Sequence, residues 1–315
     1  MAEAGAAVSE NTEALSPKSS LFPQMSLAKA MLISARPKQW AKNGLLLLGL
    51  VFSRSLSHPD LVMKASLAMV DFCLLASATY LINDLMDVEK DRLHPVKRGR
   101  PIASGRMTPF TATAMSIVLL VVSLALAVAL GGPYAFSAGI YLLLTLSYSV
   151  WLKHVVILDV LVVAAGFVIR AAAGAVVIGV PISPWLYVCT MLGALFLVFC
   201  KRRHELVLLE ASAASHRRIL EEYSIQLLDQ MISVVTSATV IAYSLYTFSA
   251  ENLPKNSAMM LTIPFLLYGI FRYLYLIHVK GVGGSPEELL FTDRPLLATV
   301  FGWGVVSTLI LYLVR

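Results

Sequence analysis

The sequence predicts an all-α integral membrane protein of about nine transmembrane helices, with a polar cavity facing the cytoplasm. The first observation is composition. Of 315 residues 58% are hydrophobic and 14% charged, with a mean hydropathy of +0.76, whereas a soluble domain carries roughly 25% charged residues. The second is the set of apolar runs at 43–57, 62–82, 108–130, 134–151, 155–179, 182–200, 227–249, 258–280 and 295–313. Most reach the roughly 17 to 25 residues that a spanning helix needs, and the first does so only if residues 36–42 extend it. The third is charge asymmetry. Nine crossings put 19 of the 25 Lys and Arg on one side and 4 on the other, and the basic side of a membrane protein is cytoplasmic. Alternating ten-residue strands are absent, which excludes a membrane β-barrel.

The net charge of +6 follows from this topology and from affinity for anionic lipid or phosphate. It implies no nucleic-acid partner. Cys73, Cys189 and Cys200 lie within or at the end of apolar runs without paired spacing, so they read as small core hydrophobes.

Residues 1–25 are rich in Ala, Ser, Glu and Pro and predict a disordered tail, leaving 26–315 as a single helical domain. No basic start followed by an apolar run marks a signal peptide. The motif RPKQWAKN (36–43) opens the first run. Trp40 and Lys42 suit ordinary interfacial anchoring, but Asn43, just inside the run, predicts a cavity or a helix contact.

The second run carries Asp71, which needs a partner inside the membrane, and Arg170 at similar depth is the candidate. The run leads into YLINDLMDVEKDRLHPVKRGRPIASG (80–105). If the helix continues past the membrane, Tyr80, Asn83, Asp84, Asp87 and Asp91 share one face. Three carboxylates would then converge and require a cation. All-oxygen ligands suit Mg²⁺ or Mn²⁺, and Mg²⁺ usually takes one or two carboxylates beside waters and substrate phosphates. Lys97, Arg98 and Arg100 follow within reach of a polyphosphate. A solvated topology-setting loop would explain mixed charge, but not this N-D-x-x-D-x-x-x-D spacing.

The third run is Leu, Val and Ala throughout and reads as lipid-facing scaffold. The fourth ends at Tyr148, Trp151, Lys153 and His154, and the fifth begins with Asp159, forming a second polar cluster on the same side. Arg170 lies three turns beyond Asp159, about 16 Å deeper, flanked by Gly166 and Gly174 on a strip that also suits close helix packing. Lys201, Arg202 and Arg203, with Glu205, cap the sixth run. Such caps commonly set topology, and Arg forks also match phosphate oxygens. Residues 206–226 read as an amphipathic surface helix. Arg272 has no partner identifiable from sequence. The segment GVGGSPEELLFTDRP (281–295) reads as a flexible turn, since no strand precedes its glycines. The absence of an internal repeat argues against an inverted-repeat transporter.

The motifs RPKQWAKN, NDLMDVEKDRLHPVKRGRPIASG, YSVWLKHVVILDV, CKRRHEL and PEELLFTDRPLL together resemble the UbiA superfamily of intramembrane prenyltransferases, and within it the subgroup that acts on decaprenyl phosphate. One departure supports that subgroup. Typical members resemble soluble prenyl synthases in a second D-x-x-x-D motif, whereas here Asp159 stands alone with Val163 at the second position.

The resemblance implies transfer of a 5-phosphoribosyl group from phosphoribosyl diphosphate to a polyprenyl phosphate, releasing diphosphate. It implies that Asn83, Asp84, Asp87 and Asp91 hold the metal on the leaving diphosphate. Lys153, Lys201 and Arg202 fall to donor phosphates, Lys38 and Lys42 to the lipid phosphate, and Asp159 to a ribose hydroxyl or to orienting cations. Asn43, Lys97, Arg98, Arg100, Tyr148, His154 and Arg170 are further substrate-binding candidates. Prenyl transfer onto an aromatic acceptor is the alternative. The implied location is the plasma membrane, with cytoplasmic active-site loops. An oligomer is compatible with the sequence.

Overall fold

A computed structural model describes residues 25–94, 96–210, 222–250, 253–254, 256–284 and 286–314. The tail expected over 1–25 lies outside these but for Met25. Ser26 caps α1 (Leu27–Ala35) by accepting from Lys29 N, and the helix ends on Arg36 in the left-handed region, φ 54°. Pro37 then starts a 3₁₀ helix, Pro37–Leu47, which passes directly into α2 (Leu48–Phe52). The first expected crossing is thus a broken segment.

The long α3 (Pro59–Met86) carries Asp71 and Asp84 among its buried residues and stops at Asp87, whose φ −98° and ψ 8° leave helical geometry. A short helix, α4 (Val88–Leu93), restarts at once. The continuous acidic face expected through Asp91 is therefore interrupted at Asp87. The break lets Asp87 turn to Lys153 rather than crowd the other two carboxylates.

The remaining helices are α5 (Pro109–Leu130), α6 (Gly132–Val150), α7 (Leu158–Val177), α8 (Pro184–Glu210), α9 (Ile225–Ser249), α10 (Ile263–His278), α11 (Pro286–Thr292) and α12 (Arg294–Leu313). No strand occurs among the described residues. Among the described residues, seven helical segments are long and apolar enough to cross a membrane: α3, α5, α7, Pro184–Leu208 of α8, α9, Ala258–His278 and α12. The chain is a multi-pass integral membrane protein. The broken segment at 37–52 and the Tyr- and Ser-bearing α6 stand outside that set of seven. Residues 211–221 of the amphipathic helix expected at 206–226 lie outside the described residues, and α8 itself runs on to Glu210.

Apolar side chains form two main cores. One joins Phe72, Leu75, Tyr134 and Tyr141 to Leu46 and Leu50. The other joins Val160, Phe196, Phe199, Leu228, Ile232 and Tyr273. A smaller cluster of Ala30, Leu81, Ile102 and Met107 seats α1 against α3 and the loop after α4. Outward-facing residues such as Phe110 and Val128 remain exposed, as the third run's scaffold reading requires. Gly174 of α7 marks the closest approach, since a Cβ there would stand 2.6 Å and 2.7 Å from backbone carbons of Leu46. Lacking a side chain, it lets the 3₁₀ segment lie directly on α7.

Candidate active site

The polar ends of the helices meet at one end of the bundle. The N-termini of α5, α7, α9 and α12 alternate there with the C-termini of α3, α6, α8 and α10, because Lys153 after α6 reaches Asp87 after α3, Arg203 of α8 reaches Asp229 of α9, and Arg272 of α10 reaches Asp293 before α12. From this end a cavity of about 2990 Å³ extends between the helices to Trp185 and Trp303. Its lining includes nine Lys and Arg against four Asp and Glu.

The acidic motif forms one wall. Asp84 and Asp91 are buried. Asp84 Oδ1 accepts from Arg36 Nη2 at 2.5 Å and Arg100 Nη1 at 2.9 Å, and Arg100 Nη1 also donates to Asp91 Oδ2 at 2.6 Å. Asp87 turns away to Lys153, whose Nζ lies 3.0 Å from each carboxylate oxygen. Hence the three carboxylates do not gather on one point as their spacing suggested. Among the described residues no group of three or more His, Cys, Asp or Glu stands close enough to hold a metal ion. Asn83 lines the cavity beside them.

Asp159 is fully buried. Its Oδ2 accepts from Arg202 Nε at 3.0 Å and its Oδ1 from Tyr223 Oη at 2.8 Å, while the Tyr223 oxygen accepts from Ile157 N at 2.8 Å. Burial beside the carboxylate pushes the Tyr223 hydroxyl up to about 12. Arg202 also donates to Glu205 at 2.6 Å and to Tyr148 at 3.4 Å. Lys42, Lys97, His154 and Lys201 line the same cavity.

Other expected residues are placed elsewhere. Lys38 is exposed, does not line the cavity and pairs with Glu288 of α11 at 2.8 Å. Arg98 is exposed and absent from the lining. Arg170 borders the cavity deeper down, donating to Asn43 Oδ1 at 2.8 Å, Tyr141 Oη at 2.7 Å and Gly166 O at 2.9 Å. Asp71 therefore does not pair with Arg170. Tyr134 Oη stands 2.9 Å from Asp71 Oδ2 instead, because Asp71 faces α6. Arg272, without a partner in the sequence reading, pairs with Asp293 at 2.8 Å, and that guanidinium lowers the Asp293 pKa. Gly281 sits in a turn with φ 65° and open space beside it, whereas Gly283 and Gly284 also serve packing, since a Cβ at Gly284 would meet the His204 ring at 3.0 Å.

Residues 44–281 match the UbiA prenyltransferase family. The chain belongs to that family. Among curated relatives it is 35% identical over 292 residues to a decaprenyl-phosphate phosphoribosyltransferase of Mycolicibacterium smegmatis, covering 89% of this chain and 92% of that one. A protein of the same name from Corynebacterium glutamicum is 32% identical over 310 residues, covering 96% and 93%. A solved UbiA homolog from Archaeoglobus fulgidus bound to GPP and Mg²⁺ shares the fold with a TM-score of 0.66 at 19% identity, covering 90% of this chain and 96% of that one.

UbiA membership implies a divalent cation, and the residues present fit one. Two buried carboxylate oxygens, from Asp84 and Asp91, already converge on a single cationic nitrogen of Arg100, and all-oxygen donors suit Mg²⁺. Sequence reasoning missed Arg36 and Tyr223 as parts of this site. Arg36 lies inside the RPKQWAKN motif and was open to notice there. Tyr223 follows a mixed-charge stretch and carries no local signal.

Proposed function

We propose that this protein transfers a 5-phosphoribosyl group from phosphoribosyl diphosphate to a polyprenyl phosphate, releasing diphosphate. The observation that carries it is the excess of cations over carboxylates around the cavity. The donor brings a diphosphate and a phosphate and the acceptor brings a third phosphate group, whereas a prenyl donor and aromatic acceptor bring only one diphosphate. The names of the relatives over nearly the whole chain support the same reading.

Asp84 and Asp91 with Asn83 would hold Mg²⁺, joined by Asp87 once Lys153 turns from it to a donor phosphate, and the bound metal would stabilise charge on the leaving diphosphate. Lys153, Lys201 and Arg202 take donor phosphates, with Lys97, Arg100, Tyr148 and His154 around them. Asp159 is fully buried behind the cavity wall with Arg202 on one oxygen and Tyr223 on the other, so its role is to aim Arg202 rather than to meet a ribose hydroxyl. Lys42 takes the lipid phosphate. Lys38 and Arg98 drop out, being turned to the outside. The apolar depth of the cavity houses the isoprenoid tail.

The anomeric C–O bond to diphosphate breaks with its electron pair leaving on diphosphate, and a lipid phosphate oxygen forms the new bond to an oxocarbenium-like carbon. That phosphate, with a second pKa of about 6, is ionised already and requires no general base. Positioning carries the rate.

The alternation of helix ends supports nine crossings, with α6 and the broken segment 37–52 completing the set, in one catalytic domain from 26 to 315. Basic residues at the polar end support a plasma-membrane protein with this end on the cytoplasmic side. Purified protein with Mg²⁺ is offered labelled phosphoribosyl diphosphate plus polyprenyl phosphate, and separately prenyl diphosphate plus 4-hydroxybenzoate. Labelled lipid from the first mixture alone, lost with EDTA and regained with Mg²⁺ or Mn²⁺, is the expected result. Product from the second alone would replace this reading with prenyl transfer, which the long apolar cavity also accommodates.

A further inference from the structure

Three carboxylates of the acidic motif face three cations of the same protein. Asp84 and Asp91 are held by Arg36 and Arg100, and Asp87 by Lys153. The acidic wall is thus charge-balanced by its own chain. A divalent cation arriving alone meets carboxylates already neutralised and two guanidinium groups at their oxygens, which repel it. A diphosphate arriving alone meets guanidinium groups already committed to carboxylates. When the two arrive together both conflicts are relieved, because the metal takes the carboxylates and the arginines turn to the phosphate oxygens that their forks match.

The surroundings allow this exchange of partners by side-chain motion alone. The Asp84 and Asp91 side chains are 4% and 5% exposed, whereas those of Arg36 and Arg100 are 21% and 27% exposed. Arg36 is pinned by its left-handed backbone and Pro37, with its N–H on Ile33 O at 3.1 Å. Arg100 is pinned by its N–H on Lys97 O at 2.9 Å and by Ser104 N on its own carbonyl at 2.9 Å. Both guanidinium groups stand between the main cavity and a smaller cleft of about 410 Å³ lined by Ile33, Gln39 and Val96, so each has open space beside it.

We propose that Arg36 and Arg100 are resident counterions of the acidic motif, exchanged onto the diphosphate when metal and diphosphate enter together, so that neither ligand binds tightly alone. This rests on the metal-site reading above and is independent of which donor carries the diphosphate. Linkage makes the coupling reciprocal, and couplings of this kind amount to about 5- to 150-fold in affinity.

Equilibrium dialysis of the full-length protein in detergent tests it, with Mn²⁺ as probe and inorganic diphosphate as partner. The excess of each in the protein compartment counts only what the protein holds, so complexes formed in solution cancel. For wild type, diphosphate is expected to lower the Mn²⁺ concentration at half-occupancy at least about tenfold. Arg100→Ala is expected to hold Mn²⁺ alone about tenfold more tightly than wild type and to gain little from diphosphate. Arg100→Lys, which keeps the charge, should stay near wild type. Arg36→Ala makes the same comparison where Arg100→Ala fails to fold, as judged by its elution profile and melting curve. Equal Mn²⁺ affinity with and without diphosphate in wild type, or no gain in the alanine variants, overturns the proposal. Wild type that retains no Mn²⁺ in either condition overturns the metal site as well. A failed phosphoribosyl assay with the coupling intact leaves the proposal standing, since inorganic diphosphate is the leaving group of prenyl donors too.

Discussion

Arg170 Nε donates to Asn43 Oδ1 at 2.8 Å across 127 residues of sequence. The same guanidinium rests 4.7 Å from the Tyr141 ring centroid and donates to the Tyr141 hydroxyl. This contact ties the 3₁₀ segment that carries Lys42 to the middle of α7, one turn from the Gly174 close approach. Asn43→Ala leaves a buried charged donor without its acceptor. The expected loss is about 1–2 kcal/mol, at the upper end for hydrogen bonds inside membrane proteins. Thermal unfolding in detergent measures it. A double-mutant cycle with Arg170→Lys should show non-additivity if the two residues act as a unit.

Gly174→Ala tests the same seam by volume. Its Cβ would lie 2.6 Å from the Leu46 carbonyl carbon, and backbone cannot yield as a flexible side chain does. Destabilisation of about 1–3 kcal/mol is expected, with turnover falling as the 3₁₀ segment shifts. Normal stability with normal turnover would show that the seam has slack.

Lys153 reaches both oxygens of Asp87 at 3.0 Å with a side chain only 7% exposed. Lys153→Ala leaves that carboxylate unbalanced and removes the charge proposed to bind a donor phosphate, so kcat/KM for the donor is expected to fall about 10²-fold. Lys153→Arg should recover part of it. An unchanged KM for the donor in both variants would move Lys153 from the substrate to a purely structural role.

Tyr223 gives a pH prediction. Its hydroxyl has a pKa of about 12 in the folded protein against 10.0 for the unperturbed group. A raised pKa stabilises the fold while the proton is bound, so the contribution is complete below pH 10.0 and is lost as pH rises through about 12. The phenolate would face the Asp159 carboxylate beside Arg202 and lose its donor role. Tyr223→Phe lacks this contribution. The stability difference between wild type and Tyr223→Phe should therefore be constant up to pH 10.0 and shrink above it, as measured by melting curves. The same variant releases one oxygen of Asp159 and is expected to raise donor KM more than it lowers kcat, because Arg202 is aimed less firmly.

Much of the site was legible locally. The acidic spacing at 83–91, the basic caps at 153–154 and 201–202 and the amide of Asn43 all lie at run ends, where a polar residue needs a reason. Pairing was not legible. Depth along the sequence matches Asp71 to Arg170, yet depth says nothing about rotation between helices, and Asp71 faces Tyr134. Lys38 and Lys42 lie one turn apart in one motif, yet a 3₁₀ segment turns the first out to Glu288 and leaves the second on the cavity.

By itself the sequence determined the membrane environment, the long apolar helices and the gathering of charge at their basic ends, because each follows from hydrophobic length and charge count along a local stretch. Tertiary structure alone decided which cation neutralises which carboxylate. It broke the acidic helix at Asp87, delivered Arg36, Arg100 and Lys153 to three aspartates and buried Asp159 between Arg202 and Tyr223. The reason is that burying charge is costly unless partners meet within hydrogen-bond distance, and only the packed arrangement of helices sets those distances.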